Sequence, residues 1–135
     1  MLVIAWSNQF SVGVQEIDKQ HQVLVELLQG LSIAFNAQDH GFDSRKVLND
    51  LVQYASYHFA TEERLMREIN FAGMDSHVRE HQDFVTKVLQ LVAQVDQGQT
   101  PSLEELLVFL RDWLVLHILH SDRDLGDALN LAEIR

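Results

Sequence analysis

The run FAGMDSHVREHQDFVTKVLQLVAQV, residues 71–95, decides the fold. It opens on a break from Phe71 to Met74, with Gly73 inside it. Asp75 or Ser76 can then cap a helix, because a short side-chain oxygen satisfies a free N–H of the first turn. Phe84, Val88, Leu91 and Val95 follow at spacings of three and four, the period of one buried helical face. His77 and His81 continue that stripe toward the helix start, four residues and therefore one turn apart. This inner face carries imidazoles where an ordinary core helix carries only hydrocarbon.

The same period recurs on both sides. Residues up to about Ile17 show no helical period and read as an extended arm holding Trp6, Phe10, Val12 and Val14. Asp18 is a candidate cap for a helix over roughly 18–38, whose stripe is Leu24, Leu28, Leu31 and Phe35. Val47, Leu51, Tyr54, His58 and Leu65 mark a second helix from Ser44 to about Asn70. Pro101, with Ser102 and Glu105 as a capping-box pair, starts a fourth. Its inner face is Leu106, Phe109, Leu110, Trp113 and Leu114. The last dozen residues leave room for a short terminal helix. Gly41, Gly73 and Gly98 fall in the three breaks, so punctuation agrees with period. Four helices, each roughly 30 Å long, joined by short loops must alternate in direction. The expected fold is all-α, an antiparallel up-down-up-down four-helix bundle with an N-terminal extended arm. Residues 1–135 read as one domain.

Composition narrows the function. The chain has 10 Lys and Arg against 20 Asp and Glu, a formal net charge of −10. That balance argues against nucleic acid or an anionic membrane as a partner. Cysteine is absent, which excludes a disulfide framework, an iron–sulfur cluster and a thiol nucleophile. The longest apolar stretch, around Leu106–Leu119, is interrupted by Arg111, Asp112 and His117, too polar to span a bilayer. No basic leader precedes Lys19, so a cytoplasmic monomer without membrane insertion is the expectation.

The 7 histidines are the unusual count. His21 lies at the start of the first helix, and His58 and Glu62 near the end of the second. His77 and His81 open the third, and His117 closes the fourth with Asp122 five residues on. Because the helices alternate in direction, these starts and ends meet at one end of the bundle. A lone inward histidine is usually a hydrogen-bonded core residue. Burying five imidazoles and two carboxylates together without a metal is costly, because ionised carboxylates in a core need partners. The set is too large for one ion and suits two. Its nitrogen content disfavours Mg and Ca and suits Fe, Zn, Cu or Ni. The zinc-protease signature and the Glu-x-x-His pairs of ferritin-like bundles are both missing. For two six-coordinate irons, five imidazoles, two bridging carboxylates and a shared oxo or hydroxo group leave one of about twelve positions open. That suits one small end-on ligand.

These residues resemble the hemerythrins, specifically the bacterial single-domain group. The likeness covers most of the chain and rests on Trp6, Phe10, Gly13, Ile17, Asp18 and His21, then HFATE from His58, HVREH from His77 and HILHSD from His117. It implies two non-haem iron ions bridged by an oxo or hydroxo group. One iron would take His77, His81 and His117, the other His21 and His58, with Glu62 and Asp122 bridging. Dioxygen would bind at the two-histidine iron. The same carry-over implies an oxygen pocket of Leu24, Phe59, Trp113, Leu114 and Ile118, positions the period alone reads as core. A dry apolar wall there would slow oxidation to the inactive diferric state.

His40 reads as a solvated loop residue and His120 as a surface group. Asp18 and Gln20 are candidate outer partners of His21, although ordinary helix-start chemistry explains them equally well. The leading expectation is reversible dioxygen binding for transport, storage or delivery to an oxygen-consuming client enzyme, with no catalytic residue. A di-iron oxidase or peroxidase, or an oxygen or redox sensor, are the alternatives.

Overall fold

The computed structural model describes residues 4–36, 44–97 and 103–135. Its main helices are α1 (Gln15–Asn36), α2 (Ser44–Glu68), α3 (Met74–Asp96), α4 (Leu103–His117) and α5 (Arg123–Leu131). A single π-helical turn, Ile118–Asp122, joins α4 to α5. Helix α1 packs on α2 and α4, α2 on α3, and α3 on α4. This closed ring of neighbours is the up-down-up-down bundle that the stripes require. Leu24, Leu28, Leu51, Val88, Leu106 and Leu110 are all buried between the four helices. Each such side chain stabilises the fold by about 1.5–3 kcal/mol through loss of apolar surface to water.

The helix starts differ from expectation in two places. Helix α1 begins at Gln15, and the Asp18 N–H already donates to the Val14 carbonyl at 2.9 Å. Asp18 therefore lies inside the first turn and does not cap it. Its carboxylate reaches back to the arm, accepting from Ser11 Oγ at 2.6 Å and the Val12 N–H at 2.8 Å. Helix α3 begins at Met74, so Asp75 and Ser76 are first-turn residues and not caps. The turn itself supplies the acceptors: the Met74 N–H donates to the Phe71 carbonyl and the His77 N–H to the Gly73 carbonyl.

Helix α2 ends by a defined device. Asn70 takes a left-handed conformation, φ 50°, and lets the Phe71 N–H donate to the Met66 carbonyl and the Asn70 N–H to the Arg67 carbonyl. This paired closure satisfies the last carbonyls, and asparagine tolerates it better than most residues. The turns holding Gly41 and Gly98, the Pro101–Ser102 start of the fourth helix, and His40 lie outside the described residues.

The expected terminal helix is present as α5, and it clamps the arm. A Cβ on Gly126 would stand 2.2 Å from the Val12 carbonyl oxygen, so only glycine permits this approach. Asn130 Nδ2 donates to the Gly13 carbonyl at 3.0 Å, where Gly13 itself has φ 78°. Arg123 donates to the Gln9 carbonyl. The arm buries Ile4, Val12 and Val14, with Ile17 at the start of α1.

Candidate metal centre

All seven expected ligands converge at one level inside the bundle, and none is more than 5% exposed. Helical geometry explains five of the placements directly: the partners on α2 and on α3 stand four apart, and His21 opens the α1 stripe. The sixth and seventh need the π turn. In a regular α-helix, residues five apart point about 140° away from each other. Between His117 and Asp122 the chain instead takes one wider turn, which returns position five to the same side. His117 Nε2 then lies 3.0 Å from Asp122 Oδ1.

The two carboxylates divide their oxygens between two sets of imidazoles. Glu62 Oε1 faces His77 Nε2 at 3.4 Å and His81 Nε2 at 3.0 Å. Glu62 Oε2 faces His21 Nε2 at 3.7 Å and His58 Nε2 at 3.3 Å. Asp122 Oδ1 faces His77 and His117, each at 3.0 Å, and Asp122 Oδ2 faces His21 at 2.9 Å. Two donor groups result: His77, His81 and His117 with both carboxylates, and His21 and His58 with both carboxylates.

The outer edges of the imidazoles fix which nitrogen is bare. Gln20 Nε2 donates to Thr61 Oγ1 at 3.2 Å, which turns Gln20 Oε1 toward His58 Nδ1 at 2.7 Å. An amide oxygen only accepts, so His58 carries its proton on Nδ1 and leaves Nε2 free. Glu63 Oε2 accepts in the same way from His81 Nδ1 at 3.1 Å. The freed His81 Nε2 stands 3.1 Å from His117 Nε2. Lone pairs brought this close in an apolar interior require a cation or a proton between them. Both oxygens of Glu62 and of Asp122, and Nε2 of His21, His58 and His77, make no hydrogen bond. Orphaned acceptors on this scale are what a metal site leaves when its ions are set aside. The donor set therefore fits two ions.

Without metal, protons must do this work. Burial opposes charge on His21 and His77, yet Asp122 and Glu62 carry them up to about 9 and about 10. Burial wins at His58 and pushes it down. The carboxyl of Glu62 is held well below its usual range, and Asp122 below its own; burial opposes this, and the surrounding imidazoles outweigh it.

One helical turn from the imidazoles lies a small cavity of about 20 Å³, lined by apolar side chains including Leu24, Ala55, Phe59, Phe84, Trp113 and Leu114. Its position follows from register: Leu24 and Phe84 come three after His21 and His81, and Ala55 and Leu114 three before His58 and His117. A volume of this size admits one water-sized molecule. Four of the five expected pocket residues line it. Ile118 is buried at the first position of the π turn and is not among the lining residues. Phe59 stacks on His81 with ring centres 3.9 Å apart, and Trp113 on His117 at 4.3 Å.

The outer partners were only half visible in the sequence. Gln20 serves His58 across the bundle and not its neighbour His21, and Asp18 serves the arm. Glu63, Thr61 and Glu80 give no signal in the sequence, because their partners sit on other helices and no local spacing announces them. His120 is exposed, as expected.

A family model described as the hemerythrin HHE cation-binding domain matches residues 12–129. A bacteriohemerythrin of Stenotrophomonas maltophilia (strain R551-3) is 30% identical over 127 residues, 94% of this chain and 82% of that protein. A myohemerythrin of Riftia pachyptila is 34% identical over 113 residues, 84% of this chain and 82% of that one. A crystal structure of wild-type hemerythrin superposes with a TM-score of 0.83 at 28% identity, covering 95% of this chain and 98% of the other. A cation-binding model that spans all seven buried donors, on a bundle shared with a solved hemerythrin, makes this chain a member of the hemerythrin family.

Proposed function

We propose that the chain binds dioxygen reversibly at a non-haem di-iron centre, for transport, storage or delivery. The observation that carries this reading is the split of each carboxylate between two imidazole sets, since one oxygen toward each set is the geometry of a bridge. Three imidazoles, His77, His81 and His117, would hold one iron. Two, His21 and His58, would hold the other, and Glu62 and Asp122 would span both. When bound there, a di-iron pair would supply the electrons that reversible dioxygen binding requires. The protein supplies the rest. Its Nδ1 hydrogen bonds point lone pairs inward, its carboxylates balance charge, and Leu24, Phe59, Trp113 and Leu114 keep water and protons away.

Binding is favoured over catalysis because no titratable side chain lines the apolar cavity. An oxidase or peroxidase needs a proton donor at the reacting end. No helix among the described residues is long and apolar enough to cross a membrane. We read the protein as a cytoplasmic monomer of one domain that releases dioxygen to an oxygen-consuming enzyme. Iron stoichiometry and visible spectra, recorded through repeated cycles of dioxygen and vacuum, test the reading. Two irons per chain and a charge-transfer band that appears and disappears with dioxygen are expected. Fewer than two irons, or a band that never reverses, would overturn it.

A further inference from the structure

The two imidazole sets differ in what stands behind them. Behind the three-histidine set are carboxylates. Glu63 Oε2 lies 3.1 Å from His81 Nδ1, and Glu80 Oε1 lies 3.9 Å from His117 Nδ1. Glu80 is held there by Ser121 Oγ, which donates to its two oxygens at 2.9 and 2.8 Å. Behind the two-histidine set is a neutral amide, Gln20 Oε1 on His58 Nδ1. His21 Nδ1 is buried with no hydrogen bond at all; His117 Nδ1 makes none either, but it has the Glu80 carboxylate 3.9 Å away, whereas no such charge stands behind His21. Apart from the shared Glu62 and Asp122, no described carboxylate pairs with His21 or His58.

An imidazole that donates to a carboxylate is a stronger base at its other nitrogen than one that donates to an amide. Two extra negative charges also lower the potential at the three-histidine position. Glu63 is 27% exposed and Glu80 43%, so water screens Glu80 more and Glu63 carries the larger share. We propose that Glu63, assisted by Glu80, ranks the two metal positions, so that the three-histidine position takes the first divalent cation and the two-histidine position the second. Glu63 touches no ion in this reading. It is a positioning residue that acts through His81. The ordered loading also leaves the weaker-held ion beside His21 and His58, where the di-iron reading, on which this inference rests, puts the exchangeable ligand.

Anaerobic titration of the metal-free full-length chain with Co(II), followed by its visible absorption, tests the ranking. The wild type is expected to fill in two steps. Glu63→Gln keeps a hydrogen-bond acceptor but removes the charge, and should weaken the first step about 10-fold while the second stays in place. Gln20→Glu should strengthen the second step and narrow the gap. His58→Ala should keep the first step, and His81→Ala should lose it. Circular dichroism of each variant confirms that the bundle is formed, and Glu63 is exposed enough that an isosteric amide leaves packing intact. Loss of the first step in His58→Ala, or an unaltered pair of steps in Glu63→Gln, would overturn the ranking and leave the di-metal site standing. Uptake of fewer than two cobalt ions by the wild type would instead remove the site on which it rests.

Discussion

Loading the centre with metal should expel a countable number of protons. In the metal-free protein, His21 and His77 titrate at about 9 and about 10. Both face Glu62 and Asp122, whose ionised forms hold those protons in place. At pH 8 a group at about 9 is ~0.9 protonated and one at about 10 is ~0.99, so the pair holds about 1.9 protons. Five ordinary imidazoles near 6.5 would together hold only about 0.15 at that pH. Metal ligation needs the free base, so these protons must leave as two divalent ions enter. The assay is Zn(II) titration in weakly buffered solution with a pH indicator, or calorimetry in buffers of different ionisation heat. About two protons per two ions are expected at pH 8, with up to one more if a water ionises between the metals. Overall affinity should therefore rise steeply with pH between about 7 and 9 and flatten above 10. Release of fewer than one proton at pH 8 would refute the reasoning, because Glu62 and Asp122 would then not be neutralised by protonated His21 and His77.

The same two imidazoles set a pH limit on the metal-free fold. Their pKa values are raised, so their stabilisation is complete below about 6.5 and is lost as pH rises through about 9 and about 10. Thermal midpoints of metal-free protein should fall from about pH 7 to pH 10 while those of metal-loaded protein hold steady; parallel curves would contradict the assignment. Leu114→Ala opens the wall of the apolar cavity, and at 8% exposure it should cost about 2–3 kcal/mol in denaturant unfolding. The iron-loaded variant should oxidise in air about tenfold faster, a barrier change of ~1.4 kcal/mol, and an unchanged stopped-flow rate would remove the wall's role. Gly126→Ala puts a carbon 2.2 Å from the Val12 carbonyl oxygen, so the arm must move. A loss of about 1–3 kcal/mol and faster proteolytic clipping before Gln15 are expected, and clipping at the wild-type rate would show that α5 does not hold the arm.

The bundle was legible because its signals are local. Stripes such as Leu24, Leu28 and Leu31, or Phe84, Val88 and Leu91, repeat within one helix, and their residues are buried as the period requires. The helix starts were less legible because a short polar side chain near a start has more than one use. Asp18 looks like a cap in isolation, and the arm that claims its carboxylate is invisible to any single-helix rule. Gln20 shows the same limit, since its partner His58 stands on another helix.

His117 and Asp122 show how the site itself could be found when its geometry could not. On a regular α-helix a spacing of five points the two side chains about 140° apart, so seven groups at one level are incompatible with regular helices throughout. The chain resolves it by widening one turn, Ile118–Asp122, at the point where the ligand is needed. A π turn gives up optimal helix geometry, so it persists where the surroundings hold it. Here they do so from both sides. Ile118 and Asp122 are buried, Ser121 is tied to Glu80 on α3, and α5 beyond the turn is pinned to the arm by Asn130 and Gly126. The arm and the terminal helix, which carry no ligand of their own past Asp122, therefore belong to the metal centre: they hold in register the one turn that lets a carboxylate on α4's continuation face two sets of imidazoles.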